Sequence, residues 1–336
     1  MKIFLSIIVP CHNSQKTIGP LLLSINNSRF NNFANIEVIV VDDASTDDTL
    51  KVIQSLRPRL KFILSTIVHK INLGPAKARN HGVKKARGRF LLFLDSDVAL
   101  KPKTLNNIYQ LINNGKTKAF TGIWHWRQKT SKFFPQFKAL RDWAYWFIER
   151  KKYARYYLFS TRIAGIEKKL FNKIGGFNED YPEPTVEDIE FTYRIEKITP
   201  IKFSADIIVR HEFEDFWPVA VKYFKRSRDW VGLYMKRLRF DPVATSQREA
   251  GKSVVGTLIP IFILLSFYHV FFSYPLVSLV TIFAMLEFDF WRFLLQQKGA
   301  GFLLKAVFVS LILYFIINLG AGWGLLLYLI KNRKKL

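Results

Sequence analysis

Residues 92–97 read Leu92-Phe93-Leu94-Asp95-Ser96-Asp97, an apolar run that ends in two carboxylates one residue apart. Such a run is typical of a strand that is buried on both faces. Side chains two positions apart in extended backbone point to the same side, so Asp95 and Asp97 can approach one cation. Carboxylates suit hard ions such as Mg²⁺ or Mn²⁺. The segment therefore predicts a metal site where a buried strand ends.

Apolar strands alternate with helices through the first hundred residues. Strand-like runs occupy 4–10, 37–42, 62–68 and 89–95, and helical stretches cover about 15–28, 47–57 and 75–87. This alternation predicts an α/β unit whose mainly parallel sheet is covered by helices on both faces. Ligands bind beyond the carboxyl ends of the strands in such sheets, which is where this chain places its acidic residues.

Two further acidic motifs mark the same region. Asp42 and Asp43 come directly after the second strand, and two adjacent carboxylates there exceed what a helix cap requires. Glu187 and Asp188 open a predicted helix over 186–197, downstream of the glycine turn at 175–176. The favourable interaction of negative charge with a helix N-terminus is the alternative explanation of this second pair.

Taken together, these motifs resemble those of the family 2 glycosyltransferases of GT-A fold. The resemblance covers about residues 3–211. Its motifs are Ile8-Val9-Pro10 with Asn13, Val41-Asp42-Asp43-Ala44-Ser45-Thr46-Asp47, Asn72-Leu73-Gly74-Pro75-Ala76-Lys77-Ala78-Arg79-Asn80, Asp95-Ser96-Asp97, Gly175-Gly176-Phe177 and Glu187-Asp188. It implies an α/β GT-A fold, a Rossmann-like mixed sheet with helices on both faces, followed by an α-helical membrane anchor.

The resemblance also implies a reaction and its site residues. A sugar would move from a nucleotide diphosphate donor, with UDP-sugar favoured, to an acceptor with inversion at the anomeric carbon. The residues implied on the donor side are Pro10, Asn13 and Asp42 or Asp43 at the nucleoside, Arg79 near the nucleotide or its diphosphate, and Glu187 at the substrate. Those implied at a Mn²⁺ or Mg²⁺ ion are Asp97, Asp95 (which could instead face the ribose) and His211 (which could instead be structural). Such an ion would stabilise the departing diphosphate.

The Glu187-Asp188 motif bears on the acceptor. A hydroxyl acceptor needs a general base, for which Asp188 is the candidate, whereas an ionised phosphate acceptor needs none. The sequence therefore favours a hydroxyl of a lipid-linked or cell-envelope glycan. Processive members of the family carry Gln-x-x-Arg-Trp, and the departure at 225–230 favours single addition. A polyprenyl-phosphate glycosyltransferase, a non-catalytic nucleotide-sugar-binding scaffold and a nucleotidyltransferase stay as alternatives.

Two long apolar runs follow this region. Within 254–286 only His269 can carry charge near neutral pH, and 306–330 contains no charged residue. Both exceed the roughly 20 residues that span a bilayer, so we predict a multi-pass integral membrane protein. The first run is interrupted at Ser273-Tyr274-Pro275 and is read as a helical hairpin or as one tilted helix. The basic tail favours an even number of crossings, whereas three crossings would place it outside.

The N-terminal apolar stretch is short and ends at Pro10, which favours a strand over a signal peptide and places the catalytic domain in the cytoplasm. The lone cysteine, Cys11, agrees with a reducing compartment. The predicted bounds are a catalytic domain over 1–213, basic amphipathic helices over 214–251 and membrane helices with a basic tail over 252–336.

The net charge is +25, from 51 Lys and Arg against 26 Asp and Glu, and it indicates an anionic partner. Residues 216–239 combine apolar positions at helical spacing with seven basic side chains, which predicts a helix on an anionic membrane surface. A second basic and aromatic stretch spans 124–162 and is a candidate for the acceptor side. Nucleic acid is disfavoured as the partner because none of its common recognition motifs occurs.

Overall fold

The computed structural model describes residues 3–149, 157–240 and 245–333. They form two compact units, the first from the described residues of 1–125 and 155–212 and the second from those of 126–154 and 213–336. The predicted stretches 124–162 and 214–251 and the basic tail extend in part beyond the described residues. The division of the chain at 213 and 251 stays a prediction.

The first unit is built on a mixed sheet. Across its described part the strand order is β3-β2-β1-β4-β7-β6-β8-β5. The strands are β1 (Leu5–Cys11), β2 (Ile36–Asp42), β3 (Ile63–Val68), β4 (Phe90–Leu94), β5 (Val98–Leu100), β6 (Ala119–Trp124), β7 (Ile163–Glu167) and β8 (Lys202–His211). Strands β1 to β4 pair in parallel, β7 is antiparallel to β4 and β6, β6 is parallel to β8, and β5 is antiparallel to β8.

Helices connect these strands. They are α1 (Ile18–Asn26), α2 (Thr49–Leu56), α3 (Pro75–Lys85), α4 (Thr104–Asn113), α6 (Lys168–Ile174) and α7 (Glu187–Glu196). Helix α3 begins with Pro75, whose fixed φ suits the first helical position. Helix α7 has three acidic residues in its first turn and Arg194 in its last, as the helix dipole favours.

The four strands and three helices predicted from the first hundred residues are confirmed. All seven residues of β2 are buried, as its run of β-branched side chains indicates. The sheet is less parallel than expected because β5 and β7 run in the opposite direction. The direction of a strand follows from its pairing with segments far away in the chain, which the local sequences of β5 and β7 do not indicate.

The second unit is helical in its described residues. Its α-helices are α5 (Phe133–Ala144), which continues into a π-helical turn at Tyr145–Glu149, α8 (Phe216–Arg237), α9 (Gln247–Tyr268), α10 (Ser273–Lys298) and α11 (Ala300–Arg333). The three segments Gln247–Tyr268, Val270–Lys298 and Ala300–Lys331 are the described ones that are long and apolar enough to cross a membrane. The apolar run 254–286 is therefore divided between α9 and α10, as the hairpin interpretation predicts, but the break lies at residues 269–272 and Ser273-Tyr274-Pro275 begin α10.

Helix α5 is fastened to the C-terminal helices by a buried ion pair. Arg141 Nη2 lies 3.2 Å from Glu287 Oε1, and the hydroxyl of Tyr314 donates to the same carboxylate oxygen. Phe137 and Phe290 pack beside this pair. These contacts explain why residues 126–149 belong to the second unit although they lie between two strands of the first.

Helix α8 packs closely on α11. A Cβ atom at Gly320 would lie 2.4 Å from the carbonyl oxygen of Phe224, and one at Gly324 would lie 2.3 Å from that of Arg228. Only glycine allows the two backbones to approach this closely. The buried residues of α8 are Val219, Ala220, Val231 and Leu233. Part of the apolar face that the sequence assigns to lipid is therefore covered by the protein itself.

Candidate active site

One edge of the sheet gathers the predicted site residues, and we call it the acidic edge. The carboxyl ends of β1 to β4 lie there because these strands are parallel. Strand β7 begins at the same edge, since its first residue, Ile163, lies opposite Leu94 at the end of β4. His211, the last residue of β8, lies opposite Val98. The fold thus brings Asp42, Asp95, Asp97 and His211 to one edge.

Asp43 holds the loop that leads into α3. One of its carboxylate oxygens lies 2.7 Å from His69 Nδ1 and accepts the backbone N–H of Leu73 at 2.9 Å, and the other accepts the N–H of Gly74 at 2.8 Å. Both oxygens of this buried side chain are therefore engaged inside the protein. Of the two alternatives at the nucleoside, this arrangement leaves Asp42 as the better candidate.

Asp42 is the buried last residue of β2 and pairs with Cys11 at the end of β1. Its Oδ1 accepts a hydrogen bond from the hydroxyl of Ser45 and lies 3.8 Å from the sulfur of Cys11. Its Oδ2 is buried with no hydrogen-bond partner in the described part of the chain. A buried carboxylate oxygen without a donor is costly, and an N–H group of a nucleobase is a donor that would satisfy it. Burial and the neighbouring Asp42 raise the pKa of the Cys11 thiol, which keeps it protonated as a weak donor.

The turn after β1 is tied to the turn after β2. The backbone N–H of Asn13 donates to Ser45 Oγ at 2.9 Å, and Asn13 Oδ1 accepts the N–H of Thr46 at 2.9 Å. Asn13 has a φ of 49°, a left-handed conformation that asparagine tolerates. Pro10 pairs with Val41 across β1 and β2. Pro10 and Asn13 therefore lie beside Asp42, as the resemblance implies, and their contact with a nucleoside stays a prediction.

Arg79 joins two acidic motifs inside the protein. Its Nη1 lies 3.0 Å from Glu187 Oε1, and its Nη2 lies 2.9 Å from Asp95 Oδ1 and donates to Thr161 Oγ1. The guanidinium stacks on Phe177, and the residue is only 3% exposed. Burial lowers the pKa of Arg79, but the carboxylates of Asp95 and Glu187 outweigh it and the pKa is raised. Arg79 is thus a charged brace between the end of β4 and the start of α7.

Asp97 and His211 form a second pair at the acidic edge. Asp97 Oδ2 lies 3.2 Å from His211 Nε2, and the Asp97 side chain is 48% exposed. Asp95 is less accessible, at 30%, and one of its oxygens is engaged by Arg79. Among the described residues no three His, Cys, Asp or Glu side chains form a group that could hold a metal ion. A carboxylate and an imidazole nevertheless fit Mn²⁺ or Mg²⁺ when phosphate and water complete the shell.

Helix α7 carries Glu187 and Asp188 in its first turn. Glu187 is buried against Arg79, whereas Asp188 is half-buried and its Oδ1 accepts the N–H of Ile189 at 2.8 Å. Ion pairing therefore occupies Glu187, and Asp188 is the more accessible carboxylate. Contact of either one with a substrate stays a prediction.

The loop before α7 packs on the segment around α3. Gly74 has a φ of 85°, and a Cβ atom there would lie 2.1 Å from the carbonyl oxygen of Pro182. The Asn80 side chain accepts the N–H of Phe177 at 3.0 Å and donates to its carbonyl at 2.9 Å. The glycines of these motifs and Asn80 thus position α7 relative to α3.

Sequence reasoning missed several residues at this edge. His69 joins Asp43 to His81, whose Nδ1 lies 2.9 Å from His69 Nε2. Burial, His69 and Lys84 lower the pKa of His81. Thr161 and Arg162 precede β7, and only the pairing of β7 with β4 brings them next to Asp95. No local pattern in the sequence signals that pairing.

Comparison with protein family models identifies the family of this chain. The family model described as Glycosyl transferase family 2 matches residues 6–175, about half of the chain. The chain belongs to glycosyl transferase family 2. The matched range contains the Asp42-Asp43, Arg79 and Asp95-Ser96-Asp97 motifs at the acidic edge. The predicted family and the α/β GT-A fold are confirmed.

Two curated glycosyltransferases are similar to part of this chain. Residues of this chain are 40% identical over 108 positions to the poly(ribitol-phosphate) beta-N-acetylglucosaminyltransferase TarS of Staphylococcus aureus, which is 32% of this chain and 18% of TarS. They are 36% identical over 119 positions to the GalNAc(5)-diNAcBac-PP-undecaprenol beta-1,3-glucosyltransferase of Campylobacter jejuni, which is 34% and 37% of the two chains. The matched region thus spans well under half of each relative.

A solved mannosyltransferase structure shares the fold. The mannosyltransferase PcManGT from Pyrobaculum calidifontis, solved with GDP-Man and Mn²⁺, aligns with a TM-score of 0.57 at 18% identity and covers 96% of this chain and 84% of its own. TarS 1–349 of S. aureus, solved with UDP-GlcNAc, aligns with a TM-score of 0.49 at 26% identity over 68% and 66% of the two chains. At 18% identity, the likeness to PcManGT concerns the fold alone.

Proposed function

We propose that the chain is a membrane-bound, metal-dependent, inverting glycosyltransferase. It moves a sugar from a nucleotide diphosphate donor, UDP-sugar being favoured, to a hydroxyl of a lipid-linked or cell-envelope glycan. The observation that carries this proposal is the acidic edge, where Asp97 and His211 lie 3.2 Å apart and Arg79 bridges Asp95 to the helix that bears Asp188. The named relatives act on ribitol-phosphate polymer and on an undecaprenyl-diphosphate-linked glycan, which supports the acceptor class.

Asp97 and His211 are the residues that would hold Mn²⁺ or Mg²⁺, with Asp95 beside them through the oxygen that Arg79 does not engage. When bound, the ion supplies Lewis-acid stabilisation of the negative charge on the diphosphate. The half-exposed Asp97 side chain is suited to meeting an ion that arrives with its donor. Asp42 binds the base, and Pro10 and Asn13 lie beside it.

Asp188 is the general base of the proposed reaction. It takes the proton of the acceptor hydroxyl while that oxygen bonds to the anomeric carbon from the face opposite the diphosphate. The bond from the anomeric carbon to the β-phosphate oxygen breaks, and its electron pair leaves with the diphosphate. Glu187 does not share this task, because Arg79 holds it at 3.0 Å.

The three apolar helices are long enough to cross a membrane and support the proposal of a multi-pass membrane protein, in which the catalytic unit faces the cytoplasm. On α8, Trp217 is 75% exposed and Val221 and Lys222 lie in the open beside it. An exposed tryptophan next to basic side chains suits the interface of an anionic bilayer. This surface supports the anionic membrane as a partner.

Thermal unfolding of the full chain in detergent tests the donor and metal sites. The ligands are UDP, dTDP and GDP, each with and without Mn²⁺, on the wild type, Asp97→Ala and the control Asp206→Ala, which removes an exposed carboxylate elsewhere on β8. A ligand at a hundred times its Kd stabilises by about 2.7 kcal/mol, which raises Tm by several degrees. We expect this Mn²⁺-dependent gain in the wild type and the control only. An equal gain in Asp97→Ala would overturn the metal assignment.

The acceptor is tested by turnover of Asp188→Asn. A hydroxyl acceptor requires the base, so the variant should lose about a hundredfold or more in kcat while nucleotide binding is unchanged. Full activity of the variant on a polyprenyl phosphate would replace the hydroxyl acceptor by the phosphate alternative. Nucleotide binding without turnover by the wild type on either acceptor would favour the non-catalytic scaffold.

A further inference from the structure

The acidic edge needs a cation that Arg79 does not supply. A nucleotide diphosphate gains negative charge as the sugar leaves, and arginine is a preferred partner of phosphate oxygens. Arg79 is buried, and both terminal nitrogens of its guanidinium are engaged by Glu187, Asp95 and Thr161. Turning it toward a ligand would leave two carboxylates without their counter-charge.

Arg162 lies at this edge by strand register. Strands β4 and β7 are antiparallel, and Leu94 pairs with Ile163. Arg162 directly precedes Ile163, in the turn that the N–H of Ile163 closes on the carbonyl of Ser160, and Asp95 directly follows Leu94. The neighbouring Thr161 accepts a hydrogen bond from Arg79, which also pairs with Asp95. Arg162 therefore lies at the end of β7 where β4 leads into Asp95 and Asp97.

Trp124 gives this arginine a fixed support. The guanidinium carbon of Arg162 lies 4.7 Å from the centre of the Trp124 ring. Trp124 ends β6, is almost fully buried, and pairs with Val209 two residues before His211 on β8. A guanidinium is planar by itself, and stacking on a ring fixes the orientation of that plane, whose fork of N–H groups matches two phosphate oxygens. Arg162 is half-buried, so its charge is also strengthened by limited contact with water.

We propose that Arg162, supported by Trp124, binds the diphosphate of the donor and stabilises the charge that the leaving group acquires. This inference rests on the proposed function and replaces one expectation from the resemblance, since Arg79, implied near the nucleotide or its diphosphate, becomes a positioning residue. In the transfer step the anomeric C–O bond to the β-phosphate breaks, and its electron pair stays on the phosphate oxygen. Arg162 donates to the diphosphate, while the proton of the acceptor goes to Asp188.

The experiment compares a nucleoside diphosphate with its monophosphate. Calorimetric titration of the full chain in detergent with Mn²⁺ uses UDP, dTDP and GDP, and the tightest of these is then compared with the corresponding monophosphate. A charge-assisted pair contributes roughly ten- to a hundredfold in affinity. We expect Arg162→Gln to lose that factor for the diphosphate and under about threefold for the monophosphate. Arg162→Lys should lie between, because it keeps the charge without the planar fork.

Arg89→Gln is the matched control, since Arg89 is exposed, stacks on Phe90 at 5.6 Å and precedes β4 at the opposite end of that strand. It should bind both nucleotides like the wild type. A wild type that prefers the diphosphate, with the same preference in Arg162→Gln, overturns the role of Arg162 and leaves the proposed function standing. An equal loss for both nucleotides also overturns it, by assigning Arg162 to structure alone. A wild type that binds no nucleotide overturns the proposed function itself.

Discussion

Replacement of Arg79 by glutamine removes the positive charge between Asp95 and Glu187. Glu187 is 5% exposed and Asp95 is 30% exposed, so the first carboxylate loses its counter-charge in the interior and the second near water. Breaking a buried ion pair by removing one partner costs about 3–5 kcal/mol. The partial exposure of Asp95 places the expected loss near the lower end, at about 3 kcal/mol. For a unit of this size that corresponds to a fall in Tm of about 6–12 °C.

The assay is a double-mutant cycle of Arg79→Gln, Glu187→Gln and the double variant, followed by denaturant unfolding of the full chain. The double variant has no charge left on Glu187 to strand, so it should be more stable than the sum of the two single losses indicates. We expect a coupling free energy of about 2 kcal/mol. Arg79→Lys should restore only part of the stability, because an ammonium group cannot bridge two carboxylates in the fork geometry of a guanidinium.

Kinetics separates the brace from a substrate contact. If Arg79 acts by positioning α7, Arg79→Lys lowers kcat on the acceptor while Kd for the nucleoside diphosphate stays within about threefold of the wild type. If the stability losses of the two single variants were additive in the double variant, Arg79 would not stabilise the fold through Glu187. A tenfold or larger loss of diphosphate affinity in Arg79→Lys would indicate that Arg79 contacts the nucleoside diphosphate directly.

Three further outcomes follow from the same edge. Gly74→Ala should destabilise the first unit by at least about 2 kcal/mol in denaturant unfolding, because its φ of 85° and the Pro182 carbonyl at 2.1 Å leave no place for a Cβ atom; a change under 0.5 kcal/mol would contradict this. Since the pKa of His81 is lowered in the folded state, its contribution is present above about pH 6.5 and is lost on acidification. The unfolding midpoint of the wild type should therefore fall more steeply between pH 7 and 5.5 than that of His81→Gln, and parallel curves would count against it. Cys11 should resist iodoacetamide in the native chain and react after unfolding, as mass spectrometry can show, because it is buried and its pKa is raised.

Local patterns predict the strands and the positions of the acidic motifs. The apolar residues of β2 and those before Asp95 predict buried strands, and the acidic residues from Glu187 onward predict the start of a helix. Local patterns do not predict contacts between residues far apart along the chain. Arg79 and Glu187 are 108 residues apart, and no periodicity reports that their side chains meet. The resemblance implies Arg79 near the nucleotide or its diphosphate, which stays a prediction, and the burial of Arg79 between Asp95 and Glu187 is visible only in the tertiary structure.

The two adjacent aspartates show the same limit. Asp42 and Asp43 are equivalent in the sequence, but successive side chains leave a strand in opposite directions. The Asp43 carboxylate binds the loop before α3, whereas the Asp42 carboxylate lies beside Ser45 and Cys11. The sequence identifies both aspartates as candidate site residues, and only the folded structure shows that their contacts differ.

The glycine contact of α8 with α11 has a practical consequence for anyone who wishes to work with a shortened, water-soluble form of this protein. A chain that stops after α8 keeps Phe224 and Arg228 but loses the helix whose Gly320 and Gly324 pack against their backbone. Its newly bare flank, next to the already open Trp217, would favour self-association. Removing the C-terminal hydrophobic helices is thus a poor route to solubility unless the exposed flank of α8 is redesigned with polar side chains at the same time.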